Sequence, residues 1–259
     1  MALGVVVWFI AGMALLVSGI VSEARVDTRM AQLHYFRAQA ASAGDGAINL
    51  ALAEQQGRRV SGQRGADRLQ NYQVGPHDVE IRMIPGGLFV NIGTESLQGL
   101  RALFALGAAI TEERGGLWPA SPLELARAVV EFRDGQRGRR GFQFHSPEDL
   151  LRVPGVSRSV YDAVRDYIAV EDLAGNLGGK AKGMAGKLRQ LEAAMMGEGA
   201  LMQGAAQHNA GALRVDAIVT VGDRQWLRRR WVTFESGGYS QLPWRVIRTE
   251  AARPLPGSV

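Results

Sequence analysis

The sequence predicts an α+β fold: a long N-terminal helix, membrane-spanning in its first half, packed on an antiparallel sheet, with a helical domain inserted into that sheet. Three observations carry this prediction. Residues 1–22 contain no charged side chain, and the helical pattern then continues without a proline as far as Gly57. Alternation of apolar and polar residues, the period of a strand, appears in HDVEIRMIP (His77–Pro85) and resumes only after residue 212. Between those stretches, from Thr94 to about Val170, apolar residues recur at three- and four-residue steps.

Composition narrows the function classes. With 46% hydrophobic and 21% charged residues among 259, this is a folding chain rather than a disordered one. The formal charge of +5 tolerates an anionic partner, nucleic acid or acidic lipid, without demanding one. The absence of cysteine excludes disulfides, thiolate metal sites and cysteine catalysis.

The first element is the apolar run 1–22, whose helix would reach roughly 33 Å and so cross a hydrocarbon core of about 30 Å. Arg25, Arg29 and Arg37 all follow the run and no basic leader precedes it, so the positive-inside rule alone places the body in the cytoplasm. Residues 23–57 continue the helix as an amphipathic segment. Val26, Met30, Leu33, Phe36, Ala40, Ala43, Ala47 and Leu50 form its apolar stripe, and Gly44 and Gly46 weaken it locally.

Residues 58–68 read as a loop. Val79, Ile81 and Met83 then mark a strand, Pro85-Gly86-Gly87 a turn, and LFVNI a returning strand. The helical stretch opens at Thr94 as a cap, with Leu97, Leu100, Leu103 and Ile110 facing inward, and SPLELARAVVEFRDG follows as a further helix. Ser146-Pro147-Glu148-Asp149 is another helix start, in which Ser146 caps, Pro147 suits the first turn and Asp149 completes a capping box. The turn Pro154-Gly155-Val156 leads to an apolar face of Val156, Val160, Val164 and Ile168.

From 171 to 211 the chain is rich in Gly, Ala and Met, which predicts a mobile segment with one short helix around Lys187 to Met196. RVDAIVTVGDRQWLRRRWVTFE then reads as a hairpin about Gly222-Asp223, and PWRVIRTE as a closing strand before a Pro-containing tail. The domains expected are a transmembrane segment 1–22, its amphipathic continuation 23–57, a discontinuous sheet domain 58–92 with 212–259, the inserted helical domain 93–170, and the segment 171–211.

Two stretches invite a nucleic-acid reading. Ser146 to Ile168 is like half of a helix-hairpin-helix, a unit that grips DNA when a Gly-x-Gly turn lets helix-start amides reach a phosphate. Here the second glycine is Ser157, and the earlier copy, Phe104-Ala105-Leu106-Gly107, lacks the Pro-Gly turn. Arg152, Arg158 and Arg165 are offset by Glu148, Asp149, Asp162 and Asp166, so a hairpin kept for packing is the favoured reading. In DRQWLRRRWVTFE, Trp226 and Trp231 interleave with Arg228, Arg229 and Arg230. The tryptophans can bury beneath the long helix, stack single-stranded bases, or form a partner interface together with Arg228 and Arg230. His34, His77, His145 and His208 have no metal or catalytic spacing, and no nucleophile elbow, P-loop or dinucleotide fingerprint occurs, so no enzyme is expected.

Taken in order, these stretches resemble the K-type minor pseudopilin of type II secretion, the general secretion pathway protein K family. MALGVVVWFIAGMALLVSG is similar to the start of that family's mature chain, and GLFVNIGTESLQGLRALF to its way into the helical insertion around Thr94. LARAVVEFRDG carries Phe132-Arg133-Asp134, FHSPEDLLRVPGV carries Pro154-Gly155, and YSQLPWRVIRTE is like the closing strand. The sequence departs from the family at Gly93-Thr94, where Asn-Thr is usual, and through 171–211.

The resemblance implies a pilin-like helix with Met1 as first mature residue, a terminus of the kind that is methylated, left when prepilin peptidase removes a short charged leader. That reverses the orientation above: a single-pass inner-membrane protein with its body in the periplasm. It implies Val5 at the fifth position, where other pseudopilins carry glutamate. A carboxylate in lipid needs a partner, since an unpaired one costs several kcal/mol, so its absence suits a subunit with no neighbour above it. The implied role is a non-enzymatic subunit at the pseudopilus tip, with I-type and J-type minor pseudopilins, other pseudopilins and the inner-membrane secretion platform as partners. Some members bind calcium, but no D-x-D-x-D run occurs here and no ligand is assigned. The alternative is a membrane-tethered helix-hairpin-helix DNA receptor for uptake.

Overall fold

The computed structural model describes residues 2–61, 69–137, 144–170, 183–196, 212–234 and 242–255. It begins with one unbroken helix, α1 (Ala2–Val60), about 88 Å long at the α-helical rise. The helix overruns Gly57 by three residues, and Arg59 in its last turn stacks over the Phe234 ring at 4.0 Å. Its buried residues are Ala40, Ala43, Gly44, Ala47, Ile48, Ala51 and Leu52, a stripe at three- and four-residue steps. Leu50 is not part of it and is half exposed, because the stripe runs through Ile48 and Ala51 instead. Gly44 has a tertiary reason: a Cβ there would lie 2.8 Å from the Arg228 Cβ, so only glycine lets the helix backbone come this close to the sheet.

The sheet has five antiparallel strands in the order β1-β2-β5-β6-β7: β1 (Leu69–Val74), β2 (His77–Pro85), β5 (Leu213–Val221), β6 (Arg224–Thr233) and β7 (Arg245–Pro254). β1 was not expected; LQNYQV has too few apolar residues to announce a strand and owes its place at the edge to pairing with β2. The predicted hairpin is present, with Val221 opposite Arg224 and Gly222 at φ 64°, a geometry that suits a two-residue turn opening on glycine. β7 extends beyond PWRVIRTE into the expected tail.

LFVNI does not return to this sheet. After Pro85 the chain makes a 3₁₀ turn (Gly86–Leu88), and only Val90–Asn91, strand β3, is extended. It pairs in parallel with β4 (Ile168–Ala169). Leu88, Phe89, Val90 and Ile92 are all buried, so this apolar run is a neck surrounded by packing rather than a two-faced strand. The neck closes where Gly86 N–H donates to the Ala212 carbonyl at 2.7 Å, next to the Pro85–Leu213 pair. The insertion therefore leaves and rejoins the sheet between two adjacent strands.

Within the insertion are α2 (Leu97–Glu113), α3 (Pro122–Arg137), a 3₁₀ turn (Pro147–Arg152) and α4 (Arg158–Val164). α5 (Gly183–Met195) belongs with them, since Leu188, Leu191 and Ala194 share their core. The mobile character expected for the rest of 171–211 falls on residues outside the described ones. Among the described residues there are two hydrophobic cores. One lies between α1 and one face of the sheet, and the other joins the helices, the neck and Trp231.

Candidate functional site

Two features invite a functional reading: the part of α1 that stands clear of the body, and the arginine-rich strand β6 that sits between α1 and the insertion. In the first, the side chains are exposed from Gly4 to Tyr35 wherever they are described. Val5 is 69% exposed and Trp8 82%, and with Val6, Val7, Phe9 and Ile10 they make a contiguous apolar surface of the kind that lipid or a partner covers. The helix is long and apolar enough to cross a membrane, with a mean hydropathy of 2.4 in its apolar window. Beyond that window Val26, Met30 and Leu33 remain exposed, so the amphipathic stripe has no counterpart within the described chain until Phe36.

β6 alternates faces as a strand must. Trp226, Arg228 and Arg230 face α1. Arg228 donates through Nε and Nη2 to the two carboxylate oxygens of Asp45 at 2.7 and 2.9 Å, and Arg230 Nη2 lies 2.7 Å from the same group. Arg229 and Trp231 face the insertion. Arg229 donates to Asp216 from Nε and Nη2, at 2.7 and 3.0 Å, and from Nη1 to Asp166 at 2.7 Å. Arg253 Nη2 also donates to Asp166, and Arg214 Nη1 donates to its carbonyl at 2.7 Å. Glu250 Oε2, 3.5 Å from Arg229, balances three guanidinium groups with three carboxylates.

The electrostatics of this network follow from its burial. For Asp166, burial alone would raise the carboxyl pKa, but Arg229, Arg253 and Arg214 outweigh it and hold the group well below the usual carboxylate range. Asp216 is lowered on the same balance, with Arg214 and Arg229 overcoming burial. Burial, with repulsion from Arg229, pushes Arg214 down to about 10, so it stays cationic at neutral pH. Both carboxyls are therefore more acidic folded than unfolded. Their stabilisation is present above the unfolded carboxylate pKa of about 4 and is lost as pH falls below it toward the folded values. The urea midpoint should be flat from about pH 8 to 5 and drop below about 4, and an Asp166→Asn chain should show a weaker drop.

The interface reading of β6 is corrected. Trp226 and Trp231 are 1% and 2% exposed, so neither can meet a partner or stack a base in the folded chain. Trp226 does bury beneath α1, but Trp231 lies on the other face, edge-on to Phe89 at 4.8 Å between ring centroids. Arg228 and Arg230 are taken up by Asp45. Asp45 and Asp166, which anchor the two sides, were missed; the only signal for Asp45 was an acid between two glycines on an otherwise apolar face.

The motif residues of the insertion are structural in their contacts. Thr94 does not cap α2. The Asn91 side chain accepts from Gly93 N–H at 2.9 Å and its carbonyl accepts from Thr94 and Glu95, so the chain turns first and Ser96 caps instead, accepting from Gly99 N–H. Leu97, expected inward, is consequently 38% exposed. Arg133 Nη1 donates to the Glu95 carbonyl at 2.9 Å, holding this turn, with Asp134 3.5 Å from its Nε. Phe132 meets Phe144 at 6.2 Å between centroids. Ser146 and Asp149 form the expected box, with Asp149 accepting from Ser146 N–H at 3.1 Å, though the element it starts is a 3₁₀ turn. Pro154 is exposed and Gly155 takes φ 85°, which makes the sharp turn before α4. Met1 lies outside the described residues.

At that turn Ser157 accepts from Val160 N–H at 3.3 Å, so the helix start meets its own hydroxyl. Arg158 and Arg165 both reach Asp162, and Arg152 lies 3.6 Å from Asp149, so each arginine around this turn is met by an acid. Among the described residues no group of three or more acids or histidines could hold a metal, and the carboxylates that do cluster are matched by arginines. His34 lies on α1, His77 opens β2 and His145 precedes the 3₁₀ turn, and His208 is outside the described residues.

No protein-family model matches the chain, and no curated protein matches it. Among solved structures it is similar to one described as the crystal structure of the GspK-GspI-GspJ complex from the enterotoxigenic Escherichia coli type 2 secretion system. There the TM-score is 0.41 and the identity 10%, over 88% of this chain and 98% of that chain.

Proposed function

We propose that this chain is a non-enzymatic minor pseudopilin at the tip of a type II secretion pseudopilus, where it initiates or caps assembly. The observation that carries the reading is α1: one continuous helix, apolar and clear of the body in its first half, docked on an antiparallel sheet in its second. An ordinary single-span anchor does not continue as a core helix of its own domain. The insertion adds bulk on the sheet side away from α1, which suits the end of a filament better than its shaft. The body then stands in the periplasm, the apolar segment in the inner membrane, and Val5 occupies the fifth position of the mature chain.

The experiment mixes the purified body, from about Glu23 onward, with I-type and J-type pseudopilin bodies from the same genome on a sizing column. A stable ternary complex indifferent to added DNA is the expected result. Absence of a complex, together with duplex binding that fades as salt rises, would move the function to DNA uptake. In cells, Val5→Glu should impair tip assembly and secretion while leaving membrane insertion intact; unchanged secretion would count against the tip role.

A further inference from the structure

We propose that strand β6 is a two-sided clamp coupling the anchored helix to the helical insertion, so that a load or rotation applied along α1 reaches the insertion without a hinge between them. Arg228 and Arg230 grip Asp45 on one face, and Arg229, the residue between them, grips Asp166 on the other. Asp45 belongs to α1 and Asp166 follows α4, so neighbouring residues of one strand tie together elements that are otherwise far apart along the chain.

The contacts that accompany this pair act in the same direction. Trp231, next on the insertion side, packs edge-on to Phe89 in the neck, and the Arg214 guanidinium covers the Phe89 ring at 4.4 Å. Asp166 is further held by Arg253 from β7, and Arg248 of β7 reaches Glu148 at the 3₁₀ turn before α4, 2.6 Å away. Without these, the insertion would be fastened to the sheet only at the neck, where Gly86 N–H donates to the Ala212 carbonyl, and along β2, where Arg82 donates to the Met195 carbonyl at the end of α5. With them, it is fastened to the strand that also fastens α1. Two bidentate guanidinium–carboxylate pairs, Arg228 on Asp45 and Arg229 on Asp216, fix the planes of their side chains as well as their distances.

The coupling does not depend on which partners the protein has. Any partner bound to the insertion would be held in a set orientation to the membrane helix. Conversely, any movement of that helix would turn the bound partner with it.

The test uses the full chain in nanodiscs. It has no native cysteine, so Ala38→Cys on α1 and Leu117→Cys, 93% exposed between α2 and α3, can carry a pair of spin labels. The expected result is one narrow distance distribution in the parent, at least doubled in width by Asp166→Asn and again by Asp45→Asn, with the near-ultraviolet circular dichroism retained. A broad distribution in the parent, or widths unchanged in both variants, would overturn the proposal. Should Asp166→Asn not fold, Arg253→Gln, which keeps the Arg229 contact, is measured in its place. An increase in width there supports the coupling, and an unchanged width overturns it.

Discussion

Replacing Arg229 by alanine is expected to lower the unfolding free energy by about 3–5 kcal/mol, the range for breaking a buried ion pair from one side. The size follows from what is left behind. Arg229 is 4% exposed, and Asp216, the carboxylate it holds in a bidentate grip, is 5% exposed. Without the guanidinium, Asp216 keeps Arg214 alone among the described residues, and Asp166 keeps Arg253 on its carboxylate and the Arg214 guanidinium on its backbone carbonyl. An underpaired carboxylate in so little water must take a proton or draw in solvent, and both oppose folding. The double variant Arg229→Ala with Asp216→Ala should cost less than the sum of the two single changes, because the second change removes the charge that the first leaves stranded. Urea denaturation measures both. A cost below about 1 kcal/mol would place the network among surface ion pairs and deny it a structural role.

Trp226→Ala should cost a similar amount, about 3–5 kcal/mol. The indole is 1% exposed in the core beneath α1, where the helix contributes mainly Ala40, Ala43, Ala47 and Ala51. These short side chains let the helix lie close to the sheet, and they cannot swing into a cavity left by a lost indole. Relaxation must come from moving the helix, which Asp45 and its two arginines resist. Hydrogen exchange should therefore quicken across residues 40–52 before it changes in α2 and α3. A role in stacking single-stranded nucleic acid predicts the opposite pattern, lost binding with stability intact.

Much of the architecture was legible because it rests on local rules. An uncharged apolar run without a helix breaker continues as one helix, as α1 does. Val160 and Val164 are buried on one face of α4 as their four-residue spacing required, while Val156 before that helix and Ile168 in β4 are buried by the surrounding core. Gly222 and Gly155 adopt the positive φ that their turns demand. The parity of β6 was also open to reading: Trp226 and Trp231 are an odd number of residues apart, so a strand must place them on opposite faces. The errors fell where a local pattern was true but insufficient. LFVNI is apolar as a buried strand would be, yet it forms the neck, and Thr94 is a good cap residue preempted by the turn that Asn91 makes.

The sequence by itself determined the long helix, the period-two strands after residue 212, the hairpin turn and the insertion's helical character. Each depends on sterics and solvent partition within a few residues. Only the tertiary structure decided that β3 closes on β4, that α1 and the insertion lie on opposite faces of the sheet, and that Asp45 and Asp166 are the acids that bind them to β6. Asp45 meets Arg228 across 183 positions and Asp166 meets Arg229 across 63. Contacts at such separations are set by strand register and by how closely the helix approaches the sheet, which arise from the whole packing and leave no periodic trace along the chain.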